Sequence, residues 1–377
     1  KKHNGCGKVN LFFWMLFIIL SAYEGYFPGG IGELTRYITI FWIVYMLIKT
    51  RKYIFKVSLP QFALMLWILY YIISMIWSDN ISQANLYVFT VSLMVMLYVL
   101  VQYFKYNNRD YKIIKETYKL VSVSIAFLSI LFFIDIAEGT RRVLYLFGMY
   151  LDPNNQVAIV ATGCGLCLYD IFKESGINRA INIIGYIICV YSIFQCGSRS
   201  GILVLSLQII VILLFWHPKN DNIFKEIVKW GIIMLFVIVA INFMSNHISL
   251  DIIDRIFGKG TLKFTDGTER EEIWSVGLEY FNRNPIFGNG WGSYECHNTF
   301  LTMMVDIGII GNIPFYYVIL RIFFKALKNK DIAVLMILVS GLLPAFFIGA
   351  QNKRFFWGAI IIVSILINCK GDKNVYQ

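Results

Sequence analysis

Apolar residues in this chain come in long unbroken runs rather than at every second position. LFFWMLFIIL at 11–20, LMVMLYVLV at 93–101, ILVLSLQIIVILLFW at 202–216 and GAIIIVSILI at 358–367 would be apolar around nearly the whole circumference of a helix. A helix needs about 20 such residues to cross a hydrocarbon core of roughly 30 Å, whereas a lipid-facing barrel strand alternates apolar and polar positions. The pattern therefore predicts an all-α, polytopic membrane protein. About twelve spanning helices are expected, near 11–29, 33–48, 60–77, 82–104, 118–136, 153–172, 179–195, 199–216, 228–246, 297–320, 331–349 and 353–369. They form one transmembrane unit over 1–377, interrupted by one long polar loop at 247–296. The first run is followed by no small-residue cleavage site, so it is expected to be a retained span.

Composition agrees. Of 377 residues 58% are hydrophobic and only 15% charged, far from the balance of a soluble domain. The net charge of +11 then reads as topology, because short cytoplasmic loops collect Lys and Arg. With both termini placed inside, 23 of the 34 basic residues fall on the inner side and 11 on the outer. No basic segment is long enough to suggest a nucleic-acid surface; the inner charge suits anionic lipid headgroups.

The outer basic residues carry more information. Eight of those 11 are Arg, whose planar fork of donors matches phosphate oxygens and whose charge is not tuned away. An anionic ligand on the outer face is the inference. Seven cysteines are scattered, and Cys164 and Cys167 form a CxxC inside an apolar helix with no second pair, which reads as structural. His3, His217 and His247 have no metal-ligand spacing, and no metal or other cofactor is expected.

The long loop ends in FTDGTEREEIWSVGLEYFNRNPIFGNGWGSYE. Thr268 with Glu271 three residues on makes a capping box, so a short helix at about 269–282 is predicted, with Asn284 and Pro285 stopping it and Gly288, Gly290 and Gly292 turning the chain back. Arg270 falls in its first turn, where the helix dipole also favours an anion, although pairing with a neighbouring Glu is an equal reading. In QCGSRSGILVLSL, Arg199 sits among small residues at the outer start of a span, as a ligand group or a snorkelling anchor. In MYLDPNNQVAIVA, Asp152 precedes Pro153 at the start of another, as a polar site residue or a helix cap. His297 and Asn298 stand at the mouth of the span near 297–320, beside Glu295.

These segments, DPNNQVA, GSRSG, GTEREEIW with NPIFGNGW, and HNTFLTMMVDIGIIG, resemble in that order the O-antigen ligase and polymerase superfamily of bacterial envelope glycosyltransferases. The resemblance covers roughly 150–315; the N-terminal helices match only in hydropathy and number. It implies an enzyme of the bacterial cytoplasmic (inner) membrane with an extracytoplasmic active site. The donor is a sugar chain on undecaprenyl pyrophosphate, and the acceptor is a hydroxyl. Arg199 and Arg270 match the arginines taken to hold the pyrophosphate, and His297 the histidine taken to act on the acceptor hydroxyl.

The chemistry suits those residue types. A lipid pyrophosphate leaving group gathers negative charge that fixed guanidinium groups can stabilise without a metal, and the chain has no DxD-type pair beside an outer span. An imidazole can take a hydroxyl proton at neutral pH, a step worth typically about 10²–10⁴-fold. Arg141, Arg142, Lys353 and Arg354 are further candidates for guiding the anionic donor or for anchoring at the interface.

Within the family, three reactions compete: polymerisation of lipid-linked repeat units, ligation of the finished chain to lipid A core, and transfer to a protein. The absence of an additional acceptor-binding domain favours a polymerase for O-antigen, capsule or exopolysaccharide. A chain-length regulator and a flippase are candidate partners. A reading of another class is a lipid-linked oligosaccharide flippase; against it, 1–190 and 191–377 share no repeated motif and the polar residues cluster on one side instead of at the midplane.

Overall fold

The computed structural model describes residues 6–29, 33–51, 56–137, 139–215 and 269–369. The expected span at 228–246, the loop residues up to 268 including the Thr268 cap, and His3, His217 and His247 lie outside these residues.

The apolar runs fold as helices: α1 (Lys8–Tyr23), α2 (Leu34–Thr50), α3 (Leu59–Ser74), α4 (Ile81–Val101), α5 (Asn108–Leu131), α6 (Pro153–Lys173), α7 (Gly176–Gln195) and α8 (Arg199–Phe215), then α9 (Glu269–Arg283), α10 (Thr299–Lys328), α11 (Ile332–Leu342) and α12 (Arg354–Cys369). Six segments among the described residues are long and apolar enough to cross a membrane: Lys8–Tyr26, Leu59–Trp77, Ile81–Val101, Pro153–Lys173, Gly176–Gln195 and Thr299–Lys328. Shorter apolar helices occur at Arg199–Phe215, Ile332–Phe346 and Arg354–Asn368.

One boundary differs from expectation. The span expected at 118–136 is a helix that starts at Asn108 and stops at Leu131, and Phe133–Ile136 is a strand, β1. It pairs antiparallel with β2 (Arg141–Leu146), which pairs with β3 (Met149–Tyr150), so a three-stranded sheet stands on an otherwise helical chain. Phe147 and Gly148 both have positive φ (51° and 81°), the geometry of a tight primed hairpin turn between β2 and β3. Val143 and Leu144 are fully buried, and the Leu144 amide donates to Gln156 Oε1 on α6 (2.9 Å), which also accepts from the Tyr26 hydroxyl (3.3 Å). The sheet is thereby seated on one end of the helix bundle.

The bundle has two chemically different ends. At one, the α6–α7 turn brings Asp170 against Lys115 and Lys119 of α5 (2.8 and 2.6 Å), with Glu116 and Asn182 completing a network whose Asp and Lys side chains are buried. The other end gathers the sheet, the α7–α8 turn and the segment that follows α9.

That segment is locked to the membrane helices through a break in α10. Gly308 takes φ 62° and ψ −168°, a conformation essentially reserved for glycine, so α10 is two helices end to end. A break within an apolar span strands backbone groups that water cannot reach. Here they are met from the α9–α10 segment: the Ile309 and Ile310 amides donate to the carbonyls of Pro285 (2.9 Å) and Ile286 (3.1 Å), and Asn312 Nδ2 donates to the Met303 and Gly308 carbonyls (2.7 Å each). In return, the Asn289 and Gly290 amides donate to Val305 and Asp306 carbonyls, and the Gly292 amide to the buried Asp306 carboxylate (3.1 Å), which also accepts from Tyr71. Ser74 and Ser78, at the end of α3, hold both sides of the Trp291 peptide (3.1 and 2.6 Å).

This arrangement leaves no room for a side chain at Gly308. A Cβ there would lie 2.5 Å from the Ile286 carbonyl oxygen and 2.6 Å from the Gly288 amide. Gly308→Ala is expected to cost about 3 kcal/mol or more, as backbone strain and clash combined. Gly148→Ala, where φ is also positive but nothing lies within 4 Å of a Cβ, should cost only about 1 kcal/mol. Thermal unfolding of the purified variants in detergent checks both; equal midpoints for the two variants would contradict the packing role assigned to Gly308.

Candidate functional site

Three arginines from distant parts of the sequence meet at the sheet-bearing end. Arg141 begins β2, Arg199 begins α8 and Arg270 lies in the first turn of α9. Burial holds the Arg141 guanidinium below its usual range; Asp152 opposes that effect, while the positive charges of Arg270 and Arg199 add to it. Arg270 is depressed in the same way, by burial first, with Asp152 opposing and Arg199 adding. Arg141 thus feels Asp152, Arg270 and Arg199, and Arg270 feels Asp152 and Arg199, which places these groups in one half-buried neighbourhood. Cys196, whose thiol burial pushes up to about 12, feels Arg141 and Asp152 from the adjoining turn.

The local chain explains how these side chains are placed. Gly197 at φ 57° turns α7 into α8, and the Ser198 hydroxyl donates to Asn154 Oδ1 on α6 (2.7 Å) while meeting Ser200 (2.8 Å). Gly201 allows the close approach, since a Cβ there would lie 2.5 Å from the Ile193 side chain. The small residues of GSRSG thus pin Arg199 to the start of α6. Asp152 caps that start, its Oδ1 accepting from the Asn154 amide (2.9 Å), as the cap reading of the sequence expects. Arg141 Nε and Asn155 Oδ1 are buried with no hydrogen-bond partner among the described residues. Buried polar atoms are nearly always satisfied, and these two can be completed by a bound polar ligand.

His297 is placed differently. It is exposed and adopts φ 47°, uncommon for a residue with a Cβ, between buried Cys296 and the α10 cap residue Asn298. Asn298 Oδ1 accepts from the Phe300 and Leu301 amides (3.1 Å each), and Thr299 is bound to the Ile348 carbonyl, so the backbone on the C-terminal side of the histidine is fixed. Helix α9 packs on α10 with Gly277 against Cys296 and Leu301, tying the element that carries Arg270 to the one that follows His297. The imidazole has no hydrogen bond or ion pair among the described residues, and no interaction joins it to the arginine group.

The remaining candidates have structural partners in place. Arg142 pairs with Asp135 across the strands (2.8 Å) and lies over the Phe133 ring (4.9 Å). Arg354 pairs with Glu24 beyond α1, and Lys353 is an electrostatic neighbour of that glutamate. Sequence reasoning gave Asp306 no role, although a lone carboxylate in an apolar run is a recognisable signal. Glu295 accepts from Gln83 Nε2 (3.4 Å) and packs on Gly349. Among the described residues no group of three or more His, Cys, Asp or Glu side chains could hold a metal ion.

Asp152→Asn is the informative variant of this group. Asn caps a helix as well as Asp does, so only the charge that offsets the arginines is lost. The variant is expected to melt lower than the parent by roughly 2 °C, and added inorganic pyrophosphate should close the gap. An unchanged midpoint with and without pyrophosphate would argue against a coupled arginine group.

No curated protein matches the chain. Residues 184–316 match the family model described as O-antigen ligase, a stretch that runs from α7 through α8 and α9 into α10 and includes Arg199, Arg270 and His297. That match supports the O-antigen ligase/polymerase superfamily, whose members are glycosyltransferase-like enzymes, over about a third of the chain.

Proposed function

We propose that this protein is a polysaccharide polymerase that joins oligosaccharide repeat units carried on undecaprenyl pyrophosphate, at the outer face of the bacterial inner membrane. The observation that carries the reading is the convergence of Arg141, Arg199 and Arg270 on one half-buried neighbourhood. Half-buried guanidinium groups held together suit a diphosphate better than a neutral sugar, because their planar forks of donors match phosphate oxygens.

In the reaction, the acceptor hydroxyl oxygen forms a bond to the anomeric carbon of the donor sugar as the bond from that carbon to the pyrophosphate oxygen breaks. The electron pair of the broken bond leaves with the lipid pyrophosphate, and the hydroxyl proton goes to the His297 imidazole. Arg199 and Arg270 stabilise the charge gathering on the leaving group, and Arg141 holds the distal phosphate. Fixed donors in a half-buried site lose no reorganisation energy as charge develops. Removing one such donor typically costs about 10²–10³-fold in rate. His297, exposed on a rigid backbone, is available to an acceptor arriving from outside the bundle.

The test is the lipopolysaccharide or capsule banding of a deletion strain complemented with the parent, Arg199→Ala, Arg270→Ala or His297→Ala at matched expression. Single repeat units on an otherwise complete acceptor are the expected outcome, with at least about 100-fold less polymer in the arginine variants. Full-length chains stranded on the lipid carrier would instead make the protein a ligase. Wild-type banding in all three would overturn the site.

A further inference from the structure

The end of the bundle opposite the arginine group holds a second cationic site. A cavity of about 350 Å³ opens between the start of α3, the end of α4, the second half of α10 and the end of α12. Lys56, Arg321 and Lys325 line it together with Gln61, Gln102 and Ser364. No carboxylate lines it among the described residues, and none of the three cations makes an ion pair there.

Neighbouring polar groups fix several of these side chains. Arg321 donates to the Tyr317 hydroxyl (3.0 Å), Lys325 donates to Asn368 Oδ1, and Gln102 donates to the Ser364 hydroxyl. Ser58 and Gln61 close a capping box at the start of α3, and Gln61 Nε2 donates on to the Val99 carbonyl (2.7 Å), so the wall is rigid. Tyr98 is only 2% exposed, borders the cavity and has no hydrogen-bond partner among the described residues. Three cations and no carboxylate among the described residues are thus set between helices at a bundle end.

We infer that this cavity binds a phosphate group, either in the headgroup of an anionic phospholipid or as free phosphate. Basic pockets between spanning helices recognise such headgroups by charge and by donor geometry together. The cavity lies about four turns along α10 from Gly308, on the far side of the bundle from Arg141 and Arg270. It is separate from the glycosyl-transfer site and does not depend on that reading.

The test is thermal unfolding of the purified full chain in detergent, with phosphatidylglycerol, phosphatidylcholine or inorganic phosphate added. Phosphatidylglycerol is expected to raise the midpoint and phosphatidylcholine to leave it unchanged. The double variant Arg321→Gln with Lys325→Gln should need about tenfold or more phosphatidylglycerol for the same rise. Lys105→Gln with Lys328→Gln removes the same charge outside the cavity and should respond like the parent. If inorganic phosphate alone reproduces the rise and the cavity variant loses it, the ligand is the free anion. Equal responses of the two double variants would overturn the site, as would a parent that responds to neither phosphate nor phosphatidylglycerol. Should the cavity variant fail to fold, Lys56→Gln carries the same comparison, since its side chain is exposed at the rim.

Discussion

The structure depends on how backbone polar groups are satisfied where α10 breaks. Hydrocarbon supplies no partner for an open amide, so a spanning helix can be interrupted only if other parts of the protein complete its hydrogen bonds. Pro285 and Ile286 do that for the amides after Gly308, and Asn312 does it for carbonyls before the break. The residues that close the gap belong to the segment connecting α9 to α10. Helix α9, which carries Arg270, and the turn that carries His297 are therefore positioned by the same contacts that make the broken span tolerable. Stability of the membrane domain and placement of the candidate site are one requirement at this point.

The two ends of the bundle treat charge in opposite ways. Asp170 receives two lysines while Glu116 answers the same pair, so that buried network is close to neutral and each charge has hydrogen-bonded company. Breaking such a network by removing one member typically costs about 3–5 kcal/mol, which is the mark of a structural element. The arginine group instead brings guanidinium groups into one another's electrostatic reach, and burial depresses Arg141 and Arg270 while Asp152 opposes that effect.

Six of the twelve expected spans were legible, because apolar runs of about 20 residues have one solution in a bilayer. Helix α9 was legible too, since Asn284 and Pro285 stop it and the three glycines follow. The sheet was not: FIDI continues the apolar run of α5 without a break, and only pairing with RRVLYL, a tertiary event, makes it a strand. The break at Gly308 was hidden for a related reason, because IGIIG reads as part of the apolar run while the reason for the glycine lies 22 residues upstream at Ile286, in NPIF. Individual arginines could be picked out by type and by their small neighbours. Their convergence could not, as no spacing rule relates 141, 199 and 270.

That last point bears on how the site is inherited. The matched stretch, 184–316, supplies Arg199, Arg270 and His297, but the neighbourhood also contains Arg141 and Asp152, which precede it. Arg141 is held by a strand anchored to the bundle by the packing of Val143, Leu144 and Leu146 and by the bond from Leu144 to Gln156. A sheet of this size is marginal alone and takes its stability from the helices beneath it. Arg141 therefore reaches the neighbourhood of Arg199 and Arg270 from an element that the matched stretch does not include.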